Sequence, residues 1–68
     1  MRKKINGYIL QFTRADHGGR HIHVFRDNDD LGVYDRTDGP VRGLERHWNH
    51  ALEDAVRQFL EQLNERGM

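Results

Sequence analysis

Residues 44–63 read LERHWNHALEDAVRQFLEQL, and the apolar members recur at Leu44, Trp48, Ala51, Leu52, Ala55, Val56, Phe59, Leu60 and Leu63. Recurrence at i, i+4 and i+7/8 is the stripe of an amphipathic helix. With ~100° of rotation per residue the stripe centres on the direction shared by Trp48, Leu52 and Phe59, and Gly67 stands where a C-cap glycine belongs. A face of that kind must cover something. Upstream the period changes from 3.6 to 2, and it does so once. In residues 5–12 Tyr8, Leu10 and Phe12 alternate with Ile9 and Gln11; in residues 21–25 Ile22 and Val24 alternate with His21, His23 and Phe25. A further strand is expected over 31–35, entered through the polar turn 26–30 and closed by Thr37-Asp38-Gly39-Pro40. The expected architecture is therefore α+β, a three- or four-stranded antiparallel sheet with one long C-terminal helix packed on one face.

With 68 residues the chain has room for one domain, spanning 1–68, and excludes a second. No cysteine is present, so no disulfide can form, and no apolar run exceeds three residues, as in Tyr8-Ile9-Leu10. Neither a membrane span nor a secretory signal is expected from such a sequence, and a cytoplasmic location follows by default. Charge balances only in total. Residues 1–26 hold Arg2, Lys3, Lys4, Arg14, Arg20 and Arg26 against Asp16 alone, a net of +5, whereas residues 27–68 hold five arginines and ten carboxylates, a net of −5. The first part suits phosphates if folding keeps the charges apart; if folding mixes them, they serve solubility alone.

Five histidines are the compositional outlier. His21 and His23, two apart on a strand, project from the side opposite Ile22 and Val24, separated by about 6 to 7 Å along the backbone. Phe25 continues their row, and Tyr34 or Ile9 joins it depending on register. One neutral and one protonated imidazole can bracket a phosphate as base and acid, the chemistry by which RNA is cleaved through its own 2′-hydroxyl without a metal. Arg20 and Arg26, at the two ends of the strand, are the candidate phosphate-binding residues, and Tyr34 and Phe25 the candidate base-stacking ones. Two other readings of the pair stand beside this one: ordinary hydrogen bonding on a half-exposed sheet face, and metal binding completed by His17 or Asp16. In the helical stretch His50 is expected to face solvent, His47 to sit at the boundary of the buried stripe, and Trp48 to belong to the core. Asp27, Asp29, Gly32 and Asp38 match positions 1, 3, 6 and 12 of a calcium loop, but Leu31 fills position 5 and the flanks are strand-like, so an acidic turn is the better reading. Neither a phosphate-binding glycine loop nor a serine or cysteine nucleophile is found; the chain has no serine.

The run Asp16-His17-Gly18-Gly19-Arg20-His21-Ile22-His23-Val24 resembles a widespread domain-of-unknown-function family of small bacterial proteins with the signature Asp-His-x-x-x-His-x-His-Val. The likeness continues through Val33-Tyr34-Asp35, Thr37-Asp38-Gly39 and the segment from Leu44 onward, although members usually carry prolines where this chain has Gly19 and Arg20. The resemblance implies a component of a two-gene, toxin-antitoxin-like arrangement and marks Asp16, His17, His21 and His23 as the functional positions. Gly19-Arg20-His21 and the order strand, strand, helix are also similar to HicA-type mRNA-cleaving toxins, though the first helix of that fold is missing. Together these readings lead to an RNA-binding protein or a metal-independent ribonuclease in which His21 and His23 share the acid and base roles, His17 assists and Asp16 orients an imidazole. No cofactor is expected, and the partners are RNA and an antitoxin-like protein. The competing class is a non-enzymatic module, a homodimer or a regulatory partner; a His/Asp metal-binding domain comes third.

Overall fold

The computed structural model of the chain describes residues 1–14 and 16–68, with the backbone alone for Asp16 and His17. Five antiparallel strands form one sheet in sequence order: β1 (Arg2–Ile5), β2 (Tyr8–Phe12), β3 (His21–Arg26), β4 (Asp29–Asp35) and β5 (Gly39–Val41). A 3₁₀ turn, Asp16–Gly19, precedes β3, a second, Leu44–His47, follows β5, and helix α1 runs from His50 to Glu65. The α+β class and the terminal helix agree with the sequence reading, and the sheet gains two short strands.

Both additions have local causes. Asn6-Gly7 splits the first expected strand: with φ of 54° and 84° the pair makes a two-residue turn of left-handed residues, which matches strand twist and sets Ile5 opposite Tyr8. The bond from the Met1 amino group to the Phe12 carbonyl, 2.7 Å long, extends that ladder. At the other edge Thr37-Asp38 does turn the chain, but Gly39-Pro40-Val41 then pairs back onto Val33-Tyr34-Asp35. A third tight turn, Asp27-Asn28, joins β3 to β4 and places Arg26 opposite Asp29.

One sheet face carries the core. Tyr8, Leu10 and Phe12 of β2 and Ile22 and Val24 of β3 meet Leu52, Ala55, Val56, Phe59 and Leu63 of α1, all buried. Strict alternation would send Leu31 to the other face with Val33; a bulge opposite Val24/Phe25 turns it into the core, with Asp30 Oδ1 accepting from the Gly32 amide at 2.9 Å. Gly32 is obligatory here. Its φ is 130°, and a Cβ would stand 2.4 Å from the Leu44 nitrogen, because the second 3₁₀ turn crosses directly over β4.

That crossing corrects the expected start of the helix. Leu44 is fully buried but lies in the 3₁₀ turn, and α1 begins only after Asn49, whose side chain accepts from the Leu52 amide at 2.8 Å as an N-cap. Trp48 is half-buried rather than central, stacked on Tyr34 with ring centroids 5.6 Å apart, and Ala51 is exposed. At the opposite end Arg36 of the β4–β5 connection donates to the Met68 carbonyl at 2.7 Å and lies over the Phe12 ring, fastening the end of α1 to the sheet. Among the described residues no helix is long and apolar enough to cross a membrane.

Candidate nucleic-acid interface

On β3 the core takes Ile22 and Val24, so His21, His23 and Phe25 emerge together on the face that α1 leaves uncovered. Register supplies their neighbours. His23 lies between Gln11 and Val33, with Arg2 beyond Gln11, while Phe25 lies between Ile9 and Asp30, with Lys4 beyond Ile9. Arg2 closes this grid: its guanidinium donates to Gln11 Oε1 and stands over the Phe25 ring, 5.9 Å from the centroid. The surface thus joins cations, amide, imidazole and aromatic ring within neighbouring strands. Ile9, Gln11, His23 and Phe25 are half-buried, whereas Arg2 and Lys4 are exposed.

His21 differs from His23 because Asp35 stands opposite it on β4. Asp35 Oδ1 accepts from the amides of Thr37 at 2.8 Å and Asp38 at 3.2 Å. Its Oδ2 meets Arg20 at 3.0 Å and His21 Nε2 at 3.1 Å. The Thr37 amide foremost, then the Asp38 amide and Arg20, overcome the cost of burial and lower the Asp35 pKa to about 2. At neutral pH Asp35 is therefore a carboxylate, an acceptor only, and His21 Nε2 must carry the hydrogen in this bond. With side-chain exposures of 9% for His21 and 5% for Asp35, the pair is built into the sheet, and His23 is the imidazole that faces outward.

The expected site residues divide accordingly. His21, His23 and Phe25 share the open face, and Arg20 reaches it through Asp35, although it is also within 3.7 Å of Asp38 and so enters as part of an ion-pair cluster. Arg26 and Tyr34 belong to the other face. Each is even-numbered in register with the core positions: Tyr34 lies opposite Ile22 and stacks on Trp48, and Arg26 lies over the Tyr8 ring at 5.2 Å. Phe25 is then the aromatic of the histidine face. The side chains of Asp16 and His17, named for orientation and assistance and for the metal reading, lie outside the described residues. Among the described residues no three histidines and carboxylates converge as metal ligands. His47 and His50 are both exposed, so His47 leaves the packing boundary assigned to it.

Arg2, Lys4, Gln11 and Asp35 were not visible as site residues. For the first three a signal existed, since an Asn-Gly turn fixes which residues of β1 oppose Ile9 and Gln11. For Asp35 none did, because its position beside His21 depends on the β3–β4 register and its bulge. Comparison with models of known families, with curated proteins and with solved structures finds no match to this chain.

Proposed function

We propose that the protein binds single-stranded RNA on the open sheet face. The observation that carries this reading is the grid Arg2, Lys4, Gln11, His23 and Phe25. A ring on which a base can stack is flanked by cations for phosphates and by hydrogen-bonding side chains for base edges or the 2′-hydroxyl. Its chemistry favours a nucleic acid over a second protein. Among the described residues no large apolar side chain is exposed, and both sheet edges are guarded, β1 by Arg2-Lys3-Lys4 and the three-residue β5 by Pro40.

Cleavage is a second reading, favoured by the His21–Asp35 pair beside His23. Asp35 orients His21, which acts as a positioning residue, while His23 takes the 2′-hydroxyl proton as O2′ attacks phosphorus; the P–O5′ bond breaks, the leaving oxygen is protonated by water, and a 2′,3′-cyclic phosphate results. The test is a titration of fluorescent oligoribonucleotides over a salt series, with parallel incubation in EDTA. Binding that weakens as salt rises, and weakens further in Arg2→Ala/Lys4→Ala, supports the proposal. Salt-independent or undetectable binding, with a stable dimer by light scattering, would transfer the protein to the non-enzymatic class. Cleavage in EDTA that disappears in a folded His23→Ala variant adds the catalytic step; binding without cleavage restricts the function to recognition.

A further inference from the structure

A cavity of about 440 Å³ opens on the side of the sheet away from His23, between the β3–β4 hairpin and the connection from the second 3₁₀ turn to α1. Its apolar lining is Tyr8, Leu31 and Trp48, and Trp48 is held in place by its stack on Tyr34. Cations enter from two walls. Arg26, over the Tyr8 ring, comes from the hairpin, and Arg46 comes from the 3₁₀ turn, with the His47 imidazole beside it as a hydrogen-bonding group. The hairpin also contributes Asp27 and Asp29.

We infer that this cavity binds a nucleoside 5′-monophosphate, either free or as the 5′ end of an RNA strand. Each wall matches one part of that ligand. A flat base suits the Trp48 indole, the carboxylates can accept from sugar hydroxyls, and the Arg26 and Arg46 guanidinium groups on the two walls can donate to a phosphate. Two guanidinium groups balance two carboxylates, so the walls carry no large positive excess, which suits a single phosphate better than a triphosphate. The volume exceeds that of one nucleotide and falls in the range of small-molecule sites. Arg26, Arg46 and His47 thereby gain a common task that the open face does not give them.

Trp48 is the only tryptophan of the chain, so its fluorescence reports on the cavity. Nucleoside monophosphates, nucleoside triphosphates, unphosphorylated nucleosides and short oligoribonucleotides with 5′-phosphate or 5′-hydroxyl ends are titrated by fluorescence and by calorimetry. The expected result is saturable binding of monophosphates with Kd below about 1 mM, weakened about tenfold or more in Arg46→Ala and His47→Ala and unchanged in Arg2→Ala/Lys4→Ala. Both cavity residues are exposed, and circular dichroism verifies that their variants fold. Oligonucleotide binding that is tighter with a 5′-phosphate than with a 5′-hydroxyl, and loses that difference in Arg46→Ala, identifies the RNA end as the source; equal binding of the free monophosphate identifies the nucleotide. Three results overturn the inference: no saturation by either method with any 5′-phosphorylated probe, nucleosides binding as well as their monophosphates, or Arg46→Ala and His47→Ala binding like the parent protein. Since the open-face variants are separate, loss of RNA binding there leaves this result standing, and the reverse holds.

Discussion

Asp35 shows how one side chain can tie an ion pair, a turn and a histidine together. Its carboxyl is lowered to about 2 in the folded protein, against an ordinary value of about 4. A depressed folded-state pKa contributes stability above the unfolded value and loses it as pH falls through the folded one. Urea midpoints recorded between about pH 6 and pH 2 should therefore drop most below about pH 4, and Asp35→Asn should remove that part of the drop. Unchanged pH dependence in Asp35→Asn would mean that the carboxylate is not the group responsible. Gly32 is the second residue on which much rests. In Gly32→Ala a Cβ would have to displace the Leu44 backbone from 2.4 Å while φ stays at 130°, so a loss of about 3 kcal/mol or more is expected in chemical denaturation.

Among the elements, the β1–β2 hairpin and the start of α1 depend on one another. Asn6 Nδ2 donates to the Ala51 carbonyl at 3.0 Å and to Asp54 Oδ2 at 3.1 Å. Asp54 also accepts from Gln58 at 2.8 Å and from Arg57, and the bonds from Asn6 first, then Arg57 and Gln58, hold its carboxyl below the usual range. Asn6→Asp would put a second carboxylate against this one; the variant's urea midpoint should fall below the parent's at neutral pH, and the gap should narrow as the medium becomes acidic enough to protonate the pair. Asn49→Ala removes the N-cap of α1 and should cost about 1 kcal/mol, read from the thermal midpoint. If the midpoint does not move, water or a neighbouring group must replace the cap on the Leu52 amide.

For the molecule as a whole, a single layer of core between α1 and the sheet leaves no reserve. Phe59 and Leu10 are both fully buried, and truncating Phe59 to alanine should cost about 3 to 5 kcal/mol, most of what a domain of this size possesses. The expected outcome is a chain largely unfolded at 37 °C by circular dichroism. The two faces of the sheet also differ in composition. One is closed by the helix, and the other presents Arg2 and Lys4 of β1 beside His23 and Phe25, while Arg20 of the basic segment pairs with Asp35 and Asp38 of the acidic one.

Much of this was readable before any fold was known. Period-2 alternation put His21, His23 and Phe25 on the side opposite Ile22 and Val24, and the period-3.6 stripe from Leu52 to Leu63 announced the helix that covers that other side. The same alternation puts Arg26 with Ile22 and Val24, so its place at the end of the strand does not bring it to the histidines. What lies across from what was another matter. Asp35 beside His21, Tyr34 beneath Trp48, Leu31 turned inward by a bulge and the 3₁₀ turn seated on Gly32 all come from pairings between distant segments. Alternation is local, set by the geometry of successive peptide units, so sequence by itself determined it; register is chosen by the summed packing of every strand and the helix, so only the tertiary structure could decide it.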